Sequence, residues 1–147
     1  NKVSLESVQE GYSMLNRSIE SNLVPYALEN DLGIIAYSPM ERGLLTGKYF
    51  EGSKLKSNDH RNSYFQQFDL PKVKFFLDAI KPIANAKKIS LSQLILRWTT
   101  LQPAITVVLS GARDAKQAEL NASAMEINIS AEEMDFINQN LSKIVSC

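Results

Sequence analysis

Apolar residues along the chain follow two spacings, one typical of buried strands and one typical of helices. Short runs rich in β-formers at 34–37 and 105–109 predict strands buried in a parallel sheet, and a shorter strand is predicted at Ser7–Gln9. Gly33 is expected to end the first helix. Apolar residues three and four positions apart predict helices at about 24–30, 73–84, 91–101, 114–125 and 131–144. This alternation favours parallel strands joined by right-handed helical crossovers.

The remaining polar stretch, Glu51–Asp69, shows no sustained period and predicts a long surface loop. Ser90 is expected to cap a helix, and Ser130 is expected to cap the last one with Glu133 at the capping-box position. A chain of 147 residues is large enough to bury a core and fits a single domain, 1–147.

Composition narrows the choice of partners and compartment. Sixteen basic and sixteen acidic residues balance, so neither nucleic acid nor an anionic membrane surface is favoured. No apolar run approaches the ~20 residues that span a bilayer. The sole cysteine, Cys147, has no internal disulfide partner, which suits a reducing compartment, and a cytoplasmic location is expected. Because the sequence begins at Asn1, it is expected to be processed or to start inside a longer reading frame.

Two segments that follow predicted strands carry candidate chemistry. Residues 37–49 combine aromatic rings, two glycines, two hydroxyls and two cations, a set that suits a diphosphate. Residues 110–114 lead into a helix, where free backbone N–H groups attract an anion and Arg113 adds a guanidinium. Taken singly, each segment is explained at least as well by an ordinary turn with a solvated cation.

Together the two segments are similar to the signatures of one enzyme family. The run Tyr37-Ser38-Pro39-Met40 through Gly43-Leu44-Leu45-Thr46-Gly47-Lys48-Tyr49 resembles the strand-seven loop of the aldo-keto reductases. Residues 9–17 resemble strand six of that family, and Gly111-Ala112-Arg113 with Gln117 and Asn121 resembles its strand-eight cofactor motif. The resemblance covers nearly the whole chain and follows the family's order.

The resemblance implies an α/β fold, a partial (β/α)8 TIM barrel with about three parallel strands and flanking helices. It implies NADP(H) as cofactor and hydride transfer between NADPH and a carbonyl substrate. Gln9 would hold the nicotinamide carboxamide and Tyr37 would stack on the ring, while Arg61 would be a loop cation beyond the diphosphate. The diphosphate would contact Ser38, Pro39, Met40, Gly43 and Lys48. The 2′-phosphate and adenine would contact Gly111, Arg113, Gln117 and Asn121. Leu120 departs from the family pattern, which has glutamate there.

The family's catalytic aspartate, tyrosine, lysine and histidine would all precede Gln9, so the resemblance assigns no catalytic residue here. His60 is expected to be a solvated loop residue, and no metal ligand is assigned. Two alternatives stay open: an inactive nucleotide- or partner-binding module, and one chain of a split barrel completed by an N-terminal fragment. Open sheet edges are expected to favour self-association.

Overall fold

Three parallel strands form the sheet at the centre of the structure. The computed structural model describes residues 5–145, so the predicted free thiol of Cys147 lies outside the described residues. The strands are β1 (Ser7–Gly11), β2 (Gly33–Tyr37) and β3 (Ile105–Val108), side by side in sequence order. Strand β2 pairs in parallel with both neighbours. The predicted α/β architecture with three parallel strands is confirmed.

Helices connect and cover the strands. They are α1 (Leu23–Glu29), α2 (Arg61–Phe65), α3 (Leu70–Ala86), α4 (Leu91–Thr100), α5 (Ala115–Ala122) and α6 (Ala131–Leu141). The predicted helix at 114–125 is shorter than expected, because its end tightens into a 3-10 turn at Ser123–Glu126. Within residues 5–145, no helix combines the length and the apolar character that a bilayer crossing requires.

Helix α2 interrupts the segment that the sequence predicts to be a continuous loop. Its five residues are too few to show a helical period in the sequence. The ring of Phe65 is buried and meets the ring of Tyr49 edge-on, with centroids 5.2 Å apart. Aromatic packing therefore anchors this polar segment against the turn that follows β2.

Gly33 does not end the first helix as predicted but opens β2. Helix α1 stops at Glu29, and Asp31 makes the exit turn with a left-handed φ of 53°. A Cβ atom at Gly33 would lie 2.9 Å from Oγ1 of Thr106 on β3. The glycine is therefore required by the close approach of β2 and β3 rather than by a helix end.

The two faces of the sheet differ in their burial. Ile34 and Ala36 are fully buried on the face that packs against the helices. On the opposite face, Tyr37 and Val107 are each 43% exposed, and Gln9 is exposed as well. Since side chains alternate along a strand, each strand presents one row to the core and one row to the open face.

Trp98 lies at the centre of the helical layer and is fully buried. Its ring stacks on Tyr12 at 6.2 Å, and its indole nitrogen donates a 2.9 Å hydrogen bond to Oδ1 of Asn138. These contacts tie α4 to the chain after β1 and to α6. The Nε atom of Arg97 donates to the carbonyl oxygen of Ile127 at 2.8 Å and fixes the chain before α6.

Capping boxes begin α4 and α6. The sequence predicts the cap at Ser90 and the box of Ser130 with Glu133, and the structure adds Gln93 as the second member of the box at Ser90. The hydroxyl of Ser90 accepts from the backbone N–H of Gln93 at 3.2 Å, and the side chain of Gln93 accepts from the Ser90 N–H at 3.0 Å. Ser130 and Glu133 make the same exchange at 3.2 and 2.8 Å. The Ser90 box fixes the first turn of α4, the part of that helix which borders the functional site described below.

Ser90→Ala and Ser130→Ala are each expected to lower the free energy of unfolding by about 1 kcal/mol, because each removes the oxygen that accepts a backbone N–H at a helix start. Chemical denaturation followed by circular dichroism measures the change. Ser53→Ala, at an exposed position before α2, is the control and should leave the midpoint unchanged. Unaltered midpoints in both capping variants would contradict the role given to the boxes.

Candidate functional site

A cleft of about 360 Å³ opens where β2 and β3 end. The turn after β2 forms one wall, the loop after β3 together with α5 forms the other, and Ser92 in the first turn of α4 also lines it. Parallel α/β folds bind ligands at the carboxyl ends of their strands. The position of the cleft therefore makes it the candidate functional site.

The turn after β2 has a run of left-handed backbone conformations. Ser38, Glu41 and Arg42 have φ values of 57°, 46° and 53°, and Gly43 follows at 93°. Backbone hydrogen bonds from Glu41 N to Ser38 O at 3.0 Å and from Gly43 N to Met40 O at 2.9 Å hold the turn. Such conformations are unfavourable for residues other than glycine and concentrate at ligand sites. The turn after β2 therefore bends tightly where it lines the cleft.

A buried carboxylate lies behind this turn. Glu41 is only 2% exposed, and its oxygens accept hydrogen bonds from the hydroxyls of Ser13 and Tyr64. The Ser13 hydroxyl also accepts from the backbone N–H groups of Leu15 at 3.1 Å and Asn16 at 2.9 Å. Burial and then the hydrogen bond to Glu41 raise the pKa of Tyr64 to about 12, so the phenol keeps its proton at neutral pH.

The opposite wall is held by side-chain amides. Nδ2 of Asn121 donates to the carbonyl oxygen of Gly111 at 3.3 Å, and Oε1 of Gln117 accepts from the backbone N–H of Arg113 at 3.2 Å. Asp114 caps α5 by accepting from the Gln117 N–H at 2.8 Å. Gln117 and Asn121 therefore fasten the loop after β3 to the first turns of α5.

The cations predicted to meet phosphate differ in their present contacts. Lys48 lines the cleft, with its ammonium 4.9 Å from the ring centroid of Tyr49. Arg61 does not line it: Nη2 lies 2.6 Å from Oδ2 of Asp59, and Nη1 donates to the Tyr49 hydroxyl at 2.7 Å. The hydrogen bonds from Arg61 hold the pKa of Asp59 well below its usual range. Arg113 is 82% exposed and makes only a 3.4 Å contact with the neighbouring Asp114 carboxylate.

The two residues predicted to meet the nicotinamide lie apart from the cleft lining, on the open face of the sheet. Gln9 pairs with Ile35, and Gly11 pairs with Tyr37 on the neighbouring strand. Because alternate residues of a strand lie on the same face, Gln9 and Tyr37 share this face of the sheet. A Cβ atom at Gly11 would lie 3.2 Å from the Tyr37 ring, so the ring lies directly across this glycine. The open face therefore presents an amide and an exposed aromatic ring close to the ends of β1 and β2.

Most of the predicted site residues share the cleft. Those that line it are Ser38, Pro39, Met40, Gly43, Lys48, Gly111, Gln117 and Asn121. Gln9, Tyr37, Arg61 and Arg113 do not. Further lining residues, to which the prediction gives no individual role, are Arg42, Thr46, Ser92, Leu109 and Ser110. Arg42 and Thr46 lie inside the segment 37–49, and Ser110 lies inside the segment 110–114; the sequence singled out both segments. No sequence signal points to Ser92.

His60 has a side chain that is 75% exposed, with Nδ1 at 3.9 Å from Oδ1 of Asp59. As expected from the sequence, His60 is therefore exposed to solvent. In the described part of the chain, no group of three or more His, Cys, Asp or Glu residues is arranged to hold a metal ion.

Known proteins resemble this chain in sequence and in fold. Aldo-keto reductase YhdN of Bacillus subtilis (strain 168) is 30% identical over 146 residues, which cover 97% of this chain and 44% of that protein. The NADH-specific methylglyoxal reductase of Escherichia coli (strain K12) is 31% identical over 126 residues, covering 86% of this chain and 39% of that protein. The chain therefore spans less than half the length of these relatives.

A solved structure extends the likeness to three dimensions. The glycerol dehydrogenase AKR11B4 from Gluconobacter oxydans aligns with a TM-score of 0.82 and 26% identity, over 95% of this chain and 43% of that one. This match confirms the predicted relation to part of a TIM barrel. The sequence model of the Aldo/keto reductase family matches residues 1–141. The protein therefore belongs to the aldo/keto reductase family.

Proposed function

We propose that this chain forms the NADP(H)-binding part of an aldo/keto reductase, an oxidoreductase that transfers hydride between NADPH and a carbonyl substrate. The observation that carries the proposal is the cleft at the ends of β2 and β3. Its volume of about 360 Å³ lies in the range of small-ligand sites, and its lining includes two cations and no carboxylate. A cytoplasmic location, expected from the single cysteine, is part of the same proposal.

The diphosphate fits the wall formed by the turn after β2. The left-handed backbone at Gly43 and the absence of a side chain there let a ligand approach the main chain closely. Lys48 brings a positive charge and Ser38 brings a hydroxyl to the same wall. Fixed donors and a cation in this arrangement suit phosphate oxygens, which only accept hydrogen bonds. We assign Pro39 and Met40 to the same contact surface.

The adenosine end fits the wall formed by the loop after β3. The amides of Gln117 and Asn121 line the cleft and can exchange hydrogen bonds with a base edge. Arg113 extends into solvent beside them, so its guanidinium is free to turn toward a 2′-phosphate. Gly111 leaves space at this corner, since a Cβ atom there would meet nothing within 4 Å.

The nicotinamide end fits the open face of the sheet, where Tyr37 offers a ring for stacking and Gln9 offers an amide. NADPH, when bound, supplies the hydride. Among the described tyrosines, Tyr12 keeps its proton, because burial and then its hydrogen bond to Glu20 raise its pKa far above the usual value. Tyr64 donates to Glu41 and is committed to that bond. We therefore propose that this chain orients the cofactor and that a partner segment supplies the proton for the carbonyl oxygen.

NADPH is expected to bind more tightly than NADH, because a guanidinium contact with the 2′-phosphate contributes about 1.5–3 kcal/mol, or roughly ten- to a hundredfold in affinity. Isothermal titration calorimetry with both nucleotides measures the ratio. Arg113→Ala should reduce the ratio toward one, whereas the charge control Lys54→Ala should not. The name of the Escherichia coli relative specifies NADH, so a preference for NADPH would distinguish this chain from that relative. Equal affinities in the unaltered chain would contradict the NADP(H) assignment.

The chain alone is expected to leave NADPH unoxidised when simple aldehydes are added, because the resemblance assigns no proton donor to it. Loss of NADPH absorbance, compared with a control lacking protein, measures turnover. Activity should appear when an N-terminal fragment of a related reductase is added, as a split barrel requires. Turnover by the chain alone that His60→Ala abolishes would overturn this assignment and the reading of His60 as a solvated residue.

A second candidate function, binding of a partner polypeptide, is supported by the open face and free edge of β3. A groove of about 450 Å³ runs along this strand and is mainly apolar. Val107 and Met125 border the groove and are 43% and 56% exposed. A parallel strand with an uncovered apolar face is expected to pair with another chain. This candidate includes self-association of the chain as well as pairing with a barrel fragment.

Self-association should be visible by sedimentation at micromolar concentration, because burial of each large aliphatic side chain contributes about 1.5–3 kcal/mol. Val107→Asp places a charge on the open face and should shift the population toward monomer. The control Phe75→Asp alters an exposed apolar residue on α3, away from the sheet edge, and should leave the distribution unchanged. A monomer at all concentrations would contradict self-association of the chain.

A further inference from the structure

Helix α5 carries Gln117 and Asn121 of the cleft wall but is weakly packed. None of its eight residues is buried. An apolar groove of about 450 Å³ lies between it and β3, with Ala118 and Ala122 on the helix side. A surface helix is usually held by an apolar stripe that faces the core, and α5 buries no such stripe. The position of the two amides therefore depends on contacts at the ends of the helix.

A buried amide makes a polar contact at the C-terminal end of α5. Gln93 is 9% exposed, and its Nε2 donates a 3.0 Å hydrogen bond to Oγ of Ser123, the C-cap residue of α5. The Ser123 hydroxyl donates in turn to the carbonyl oxygen of Leu120 at 3.0 Å, in the last turn of the helix. The next residue, Ala124, is fully buried. These contacts fasten the end of α5 to α4, whereas Asp114 caps its beginning.

The capping box of α4 fixes the direction of this amide. Oε1 of Gln93 accepts from the Ser90 N–H at 3.0 Å and from the Ser90 hydroxyl at 2.9 Å, so the NH2 group points away from the box. A buried amide donor without a partner is unfavourable, and Ser123 supplies the acceptor that this donor needs. One side chain therefore joins the first turn of α4, where Ser92 lines the cleft, to the end of α5.

We propose that Gln93 and Ser123 are positioning residues for the adenosine side of the cleft. Their hydrogen bond holds α5 at the place where Gln117 and Asn121 line the cleft. The inference rests on the proposed function, which assigns those two amides to the adenosine end, and it adds two residues that do not line the cleft themselves. A helix that is already in place loses little freedom when its amides bind a base edge, so the link favours binding by preorganisation.

Calorimetric titration of the chain with adenosine 2′,5′-bisphosphate tests the link on the adenosine side alone. Ser123→Ala removes the hydroxyl that accepts from Gln93 but leaves the capping box of α4 intact. It should weaken binding about three- to tenfold, the effect of one neutral hydrogen bond. Ser142→Ala is the matched control, because Ser142 is the C-cap residue of α6 and its hydroxyl donates to the carbonyl oxygen of Gln139 at 2.9 Å. This control should bind like the unaltered chain.

Variants at Gln93 distinguish the link from a general loss of stability. Gln93→Met removes the amide and should weaken binding at least as much as Ser123→Ala, and the double variant should bind no more weakly than Gln93→Met. Gln93→Glu, which matches Glu133 in the box of α6, should retain most of the affinity. Its carboxylate still accepts from the Ser90 N–H and can accept from the Ser123 hydroxyl. Ser130→Ala, which is expected to lower stability at α6, should leave binding unchanged.

Amide hydrogen exchange gives a readout that needs no ligand. In the unbound chain, Ser123→Ala and Gln93→Met should each speed exchange in α5 and leave exchange in α6 unchanged, because the link holds only the first of these helices. Ser142→Ala should not alter exchange in α5. Binding of inorganic pyrophosphate, which the proposed function places at the turn after β2, should be the same in Ser123→Ala as in the unaltered chain.

The outcomes separate this inference from the proposed function. Equal affinity for the bisphosphate in Ser123→Ala, Gln93→Met and the unaltered chain would overturn the inference and leave the proposed function intact, as would unchanged exchange in α5. An equal loss of bisphosphate and pyrophosphate affinity would also overturn it, because the whole cleft would then be disturbed. Bisphosphate binding that depends on Gln93, in a chain that does not bind NADPH, would support the inference and contradict the proposed function. An unaltered chain that binds neither the bisphosphate nor NADPH would contradict both.

Discussion

The buried carboxylate of Glu41 is the interaction on which the shape of the cleft depends. A carboxylate that is removed from water must be compensated by hydrogen bonds, and here the hydroxyls of Ser13 and Tyr64 supply them. These residues come from the chain after β1, the turn after β2 and helix α2. One buried carboxyl group therefore joins three segments that are distant in the sequence.

The parallel sheet determines where the segments joined by Glu41 lie. Its strands are parallel, so the segments that leave β2 and β3 meet at one edge, and the helices cover only one face. The same geometry that creates the cleft also leaves Tyr37 and Val107 exposed on the other face. The proposed cofactor binding and the proposed partner binding would therefore be linked, because the ring proposed to meet the nicotinamide lies on the face that another polypeptide would cover.

Features coded by neighbouring residues were predictable, and features set by distant contacts were not. The strands at 34–37 and 105–109 and the Ser90 and Ser130 caps follow from local patterns, and the structure confirms them. Gly33 was misassigned because the reason for a glycine there is a threonine on a strand more than seventy positions later. The sequence likewise does not distinguish Glu41 from a solvated glutamate, since its burial depends on Ser13 and Tyr64.

The three arginines near the cleft show why residue identity alone does not define a phosphate site. Arg61 is already neutralised by Asp59, so a phosphate would have to replace a close ion pair that has bidentate geometry. Arg113 is largely exposed, with a 3.4 Å contact to the neighbouring Asp114 carboxylate, and it must lose side-chain entropy when it binds. Arg42 is both unpaired among the described residues and fixed by the Tyr64 ring. A ligand therefore gains most from an arginine whose charge is uncompensated and whose orientation is already set.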